Sequence, residues 1–242
     1  MSCTLNFKNV SVKAGGKKIL ENVDFNVSHH DFVTILGPNG AGKSTILKSA
    51  LGLVKASSGS IEIKHEKITN NNLNRMRKAI SYMPQRFDLD RYFPVLVKDV
   101  VKNGITCHKK IFEKETGEEK ERVRNIIREL KIEKLLEKPF GVISGGEKQK
   151  VILAMVLAGN PEILLLDEPN LNLDLYAYRN FLKTVSSIYK KRKLTVLFVT
   201  HLITHIPEAS KKILVIKEGK SVFEGSPEGL FKEKNHLEFI YG

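Results

Sequence analysis

Residues 31–53 read DFVTILGPNGAGKSTILKSALGL, and the reading of GPNGAGKST at 37–45 decides the fold. The stretch satisfies G-x-x-x-x-G-K-[ST], and it stands where that pattern has meaning, after the apolar run FVTIL and before the helical pattern STILKSALGL. It reads as a phosphate loop. Gly37, Gly40 and Gly42 let backbone N–H groups wrap β- and γ-phosphates, Lys43 sets its ammonium between them, and Ser44 offers a hydroxyl to Mg2+. Pro38, Asn39, Ala41 and Thr45 complete the nucleotide-binding stretch.

Two further stretches fit that chemistry. ILLLDE at 163–168 is four apolar residues ending in two acids, the pattern of a buried strand that delivers carboxylates beside the phosphate loop. Asp167 would hold Mg2+, directly or through water. Glu168 is placed to accept a proton from the water that attacks the γ-phosphate. ISGGEKQK at 143–150 precedes VILAMVLAGN, which sets Val151, Ala154, Met155 and Ala158 on one helical face. Ser144 and Glu147 then form a capping box at the helix start. Gly145 and Gly146 lie between cap and box, where each costs roughly 0.5–1 kcal/mol relative to alanine in a helix. Glycines there let an anion, phosphate above all, approach the bare N–H groups of the helix end.

Working outward, LNFKNVSV, VDFNV, DFVTIL, SIEIK and AISYMPQ read as strands in the first third of the chain. Residues 87–142 hold charged helical stretches without strand signals, a helical insertion. ILLLD, the helix AYRNFLKTVSSIYKK, LTVLFVTH and a hairpin over ILVIKEGKSVFEG follow. Alternating helices and short buried strands argue a parallel α/β core. The formal charge of +13, from 40 Lys+Arg against 27 Asp+Glu, suits a phosphorylated ligand, an anionic membrane face or nucleic acid. Lysines scattered in pairs read first as a solvated surface. Two distant cysteines, Cys3 and Cys107, exclude a disulfide framework and fit a reducing compartment. The apolar runs are about half the ~18 residues that a membrane span needs, so any membrane crossing falls to other chains.

The phosphate loop, Gln85 after a strand, ISGGEKQK, ILLLDE, LNLD at 171–174 and His201 after a strand stand in the order of the ATP-binding-cassette (ABC) ATPases. The chain resembles that family over essentially its whole length. The resemblance implies a P-loop NTPase of ABC type in one domain over residues 1–242. Residues 1–86 and 159–242 would form the nucleotide-binding core, a mixed or parallel sheet with an N-terminal antiparallel β subdomain. Residues 87–158 would form an inserted α-helical subdomain ending in the signature helix. It implies ATP and Mg2+ as cofactors, and two copies meeting head to tail. Each ATP would then lie between one chain's phosphate loop and the partner copy's signature, Ser144, Gly145, Gly146 and Glu147. Gln85 would contact Mg2+ and the attacking water, His201 the γ-phosphate, and Asp174 would lie at the dimer seam. Ile143 and Lys150 depart mildly from the commoner signature residues. Ala14 stands where the family usually has an aromatic that stacks on adenine.

YMPQRFDLDRYFP at 82–94 and the terminal HLEFIYG resemble the zinc and manganese importer branch. The resemblance therefore implies an ATPase subunit of a divalent-metal importer at the cytoplasmic face of the inner membrane. It would dock on integral membrane permease subunits and work indirectly with a periplasmic or extracellular metal-binding protein. Two alternatives stay open: a soluble cassette that assists iron–sulfur or other cofactor assembly, and a nucleic-acid-associated cassette. The second usually carries coiled-coil or zinc insertions or a second cassette, which this chain lacks, so no nucleic acid is expected. His201 with His205, His29 with His30, and Cys107 with His108 read as turn and loop residues and not as metal ligands, since no closed set of four is evident.

Overall fold

The computed structural model describes residues 3–87, 94–107, 109, 113–169 and 173–232. The chain begins with β1 (Cys3–Ala14) and β2 (Lys17–Ser28), joined by Gly15 and Gly16 at φ 55° and 77°. Two positive φ values in a two-residue turn are what a type I′ hairpin requires. Then come β3 (Phe32–Leu36), α1 (Lys43–Ala50), β4 (Ser58–Ile63), β5 (Glu66–Lys67), α2 (Leu73–Arg77) and β6 (Ile80–Met83). The expected helical insertion holds α3 (Val97–Thr106) and α4 (Gly117–Leu130) and leads into α5 (Gly145–Ala158). The chain continues through β7 (Ile163–Asp167), α6 (Leu175–Arg192), β8 (Thr195–Thr200), β9 (Lys212–Lys217), β10 (Lys220–Gly225) and α7 (Pro227–Lys232). Residues 88–93 and 236–242, which carried the resemblance to metal importers, lie outside the described residues, as do Leu171 and Asn172 of LNLD and His108.

Two sheets form. One is antiparallel in the order β2-β1-β4-β5; the other runs β10-β9-β3-β8-β7-β6. In the larger sheet every neighbouring pair from β9 to β6 is parallel, and the hairpin strand β10 adds an antiparallel edge. The mixed larger sheet and the N-terminal antiparallel sheet are those that the resemblance to the ABC ATPases implied.

Side chains of a strand alternate between faces, so a parallel sheet covered on both sides reads as a continuous apolar run. ILLLD obeys this rule. Leu164 and Leu166 join Phe32, Val196 and Phe198 in a core shared with α3, α4, α5 and α6. Ile163 and Leu165 join Val33, Ile35, Leu197 and Val199 in the core under α1 and the antiparallel sheet. The one-faced pattern expected of the signature helix is too narrow. Gln149, Ile152, Leu153, Val156 and Leu157 of α5 are buried along with Val151, Ala154 and Ala158, and Met155 is the partly exposed one. The cause is position, since α5 packs against α3, α4, α6 and β6 together.

The tightest of these contacts is between α3 and α5. A Cβ added at Gly104 would overlap the Met155 carbonyl oxygen, which belongs to the α5 backbone and cannot rotate away. Gly104→Ala should therefore destabilise the fold by about 1–3 kcal/mol, the usual cost of overpacking. A fall in the urea midpoint with unchanged slope measures it; an unchanged midpoint would mean the helices separate freely.

Candidate nucleotide site

Parallel strands place their carboxyl ends on one edge of the sheet, and open α/β sheets bind ligands there. Four adjacent strands end at that edge. The phosphate loop follows β3, Gln85 lies just past β6, Asp167 and Glu168 end β7, and His201 follows β8. At Gly42 the loop takes φ 101°, and an added Cβ would lie 2.6 Å from Leu20 Cδ2 and 2.9 Å from the Ile19 carbonyl. The loop is thus wedged against the start of β2. Helix α1 begins at Lys43 with no acidic residue in its first turn, which leaves its N–H groups and positive dipole end to an anion.

Lys43 Nζ donates to the Pro38 carbonyl at 2.9 Å and lies 3.4 Å from Glu168 Oε1, in a pair whose side chains are 4% and 8% exposed. Burial pulls the lysine's pKa down, and Glu168 and Asp167 partly oppose that pull. Asp167 is held at both oxygens. Ser44 Oγ donates to Oδ1 and the Tyr82 hydroxyl donates to Oδ2, each at 2.9 Å. Burial raises the Asp167 pKa against these two donors. Glu168 sits at φ 42°, a left-handed conformation sparsely populated by residues other than glycine and typical of functional sites. Gln85 Nε2 donates to its Oε2 at 3.0 Å, and His201 Nδ1 lies 3.0 Å from the same oxygen.

Six residues singled out from the sequence therefore meet at one site, Ser44 on Asp167, and Lys43, Gln85 and His201 on the adjacent Glu168. Tyr82 belongs to it as well and was missed. Its signal was a tyrosine inside a short core strand, where a part-buried hydroxyl needs a partner. The donors around Asp167 are all oxygens, a set that fits a hard cation such as Mg2+, which takes one or two carboxylates and shares the rest of its shell with water and substrate phosphates. Among the described residues no group of three His, Cys, Asp or Glu forms a dedicated metal cage.

Ser144 and Glu147 form the expected capping box. The Ser144 N–H and hydroxyl both donate to Glu147 Oε2 at 2.8 Å, and the Glu147 N–H donates to Ser144 Oγ at 3.3 Å. The Ser144 N–H lowers the Glu147 pKa. A Cβ at Gly146 would meet only Ala177 Cβ at 3.8 Å and Leu173 Cδ2 at 3.9 Å, ordinary contacts. Nothing in this chain's own packing demands glycine there. Asp174 caps α6, accepting from the Ala177 N–H at 2.7 Å. Among the described residues no hydrogen bond or ion pair joins Ser144, Glu147 or Asp174 to the phosphate loop. His205 stacks on Tyr178 with ring centroids 4.2 Å apart, and the His29 and His30 rings lie 3.8 Å apart.

The ABC transporter family model matches residues 20–171. The zinc uptake system ATP-binding protein ZurA of Listeria innocua is 30% identical over 93% of this chain and 87% of its own length. The Fe(3+) ions import ATP-binding protein FbpC of Photobacterium profundum is 33% identical over 95% of this chain and 63% of its own. Among solved structures, cbiO1 from Clostridium perfringens, part of the transporter complex cbiONQ, superposes with TM-score 0.84 at 28% identity, over 99% of this chain and 95% of that one.

Ala14 is exposed at the end of β1, beside the tight Gly15-Gly16 turn. Stacking a base on an aromatic is worth about 1–3 kcal/mol, and each ~1.4 kcal/mol is tenfold in affinity. Ala14→Tyr should therefore tighten ATP by roughly tenfold, measured by titration calorimetry with GTP as the comparison. Unchanged affinity for both nucleotides would show that residue 14 does not face the base.

Proposed function

The chain belongs to the ABC transporter family and is an ATPase of the cassette type, and from that premise we propose that it powers import of a divalent metal ion, zinc before manganese, through separate membrane subunits. The observation that carries the ATPase chemistry is the closed network around Asp167 and Glu168. The zinc assignment draws on ZurA at 30% identity over most of both chains. The iron(III) relative supports a second reading, an importer of another substrate.

The γ-phosphate of ATP competes with Pro38 and Glu168 for the Lys43 ammonium. Ser44, Asp167 and Gln85 would hold Mg2+, which would supply positive charge to offset that of the phosphates. Once Lys43 turns to phosphate, Glu168 is free to take a proton from the attacking water, and His201 orients the γ-phosphate. Stabilisation of the transferring group is electrostatic, so its donors must be fixed in advance. Gly37, Pro38, Asn39, Gly40, Ala41, Gly42 and Thr45 frame the phosphates.

Each chain has one phosphate loop and one signature, and they do not bond to each other in the described protomer. We assign Ser144, Gly145, Gly146 and Glu147 to the ATP of a second copy, in a head-to-tail dimer with Asp174 at its seam. That this chain's own packing does not require glycine at Gly146 supports this. A groove of about 520 Å3, walled by Leu53, Phe87, Met155 and Val156, receives the permease. No helix among the described residues is long and apolar enough to cross a membrane, which fits a peripheral subunit at the cytoplasmic face, served indirectly by a metal-binding protein outside. A soluble cassette that assists cofactor assembly would not co-purify with detergent-solubilised membrane. Uptake of isotopic zinc and manganese by cells lacking the chain is the decisive test, and unaffected uptake of both metals rejects the import reading.

Glu168→Gln keeps the shape and loses the base. It should abolish turnover, preserve ATP binding and accumulate an ATP-dependent dimer on size exclusion; hydrolysis at the wild-type rate would remove Glu168 from the mechanism. Ser144→Arg should leave nucleotide binding by the monomer intact and block dimer closure. Full activity of this variant alone would refute the shared site.

A further inference from the structure

Tyr82 has its two ends in different places. Its hydroxyl donates to Asp167 Oδ2 at 2.9 Å, inside the nucleotide site. Its residue also walls the groove beside α3 and α5, in company with Leu53, Phe87, Cys107 and Met155. Strand β6 fixes what lies between, pairing Tyr82 with Leu165 two residues before Asp167 on β7. The phenol donates and the Asp167 carboxylate accepts. Asp167 depends on it. With Ser44 on Oδ1, Tyr82 supplies the second of the two hydroxyls that fix the carboxylate plane. Were Ser44 and Oδ1 of Asp167 to hold a cation, Tyr82 would remain as the donor to Oδ2.

We propose that Tyr82 is a positioning residue that couples the groove to the nucleotide site, since the residue that lines the groove is also the one whose hydroxyl holds the Asp167 carboxylate. Gln85 reaches Glu168 from the segment beyond β6; Tyr82 reaches the other carboxylate from within the strand, so the two acids answer to separate residues. That the groove is filled by membrane subunits rests on the reading above. The link from groove to Asp167 is a property of the isolated chain and is tested there.

Cys107 is exposed on the same groove and offers a reporter. In a Cys3→Ser background, an environment-sensitive fluorophore on Cys107 is followed while Mg2+ is titrated into protein saturated with ATP. The wild-type ring should give a fluorescence change on Mg2+ addition. Tyr82→Phe keeps the ring and removes the hydroxyl. It should raise the half-saturating Mg2+ concentration about tenfold, as expected for loss of a hydrogen bond to a charged group, and reduce the fluorescence change several-fold. The far-UV circular dichroism spectrum should match the wild type, which a misfolded variant would not manage. Tyr82→Leu, lacking hydroxyl and ring, should lose the response altogether. An unchanged Mg2+ midpoint or an intact fluorescence response in Tyr82→Phe overturns the proposal. A wild-type chain that shows the coupling but never co-purifies with membrane subunits would instead refute the docking reading and leave this one standing.

Discussion

Two consecutive carboxylates stand at the end of a strand whose every residue is buried, and most of the site's geometry answers that constraint. A buried charge without partners is costly, and removing one partner of a satisfied group costs several kcal/mol. Asp167 and Glu168 draw their donors from three other strand ends: Lys43 and Ser44 after β3, Tyr82 and Gln85 on and after β6, and His201 after β8. The sheet register makes this possible, since β7 lies between β6 and β8 in parallel and all three end at one level. Lys43 holds the network together from the side on which phosphate would enter. Glu168 is thus satisfied by the same ammonium that the phosphate loop offers to a ligand.

Local patterns were legible. GPNGAGKST, ILLLDE and ISGGEKQK each lie within one turn or strand end, so spacing alone reveals a loop, a buried strand and a capping box. The parallel core followed from alternating elements, and the edge hairpin from ILVIKEGKSVFEG. What stayed hidden depends on pairing across the chain. Tyr82 faces Asp167 only because β6 lies beside β7, which no window of sequence contains. Gln85 and His201 could be named only through resemblance, since a lone glutamine or histidine after a strand carries no pattern of its own. Helix α2, five residues long, is too short to show a period. Two features were readable and unread: Gly15-Gly16 between strand runs is a hairpin signal, and Thr116 with Glu119 forms a second capping box, at the start of α4.

The helical stretch between β6 and β7 is an insertion in sequence alone. Val97, Val100, Ile126, Leu130 and the α5 residues share one continuous core with Phe32, Leu164, Leu166 and Phe198 of the sheet and with Tyr178, Phe181 and Val185 of α6. A segment that shares its core with the host has no independent interior. It cannot be excised, grafted onto another cassette or exchanged as a cartridge, because either half would expose apolar surface meant for the other. Substitutions that accumulate in α3 or α5 must be answered by residues of α6 and the sheet, so these distant stretches of the gene evolve as one unit.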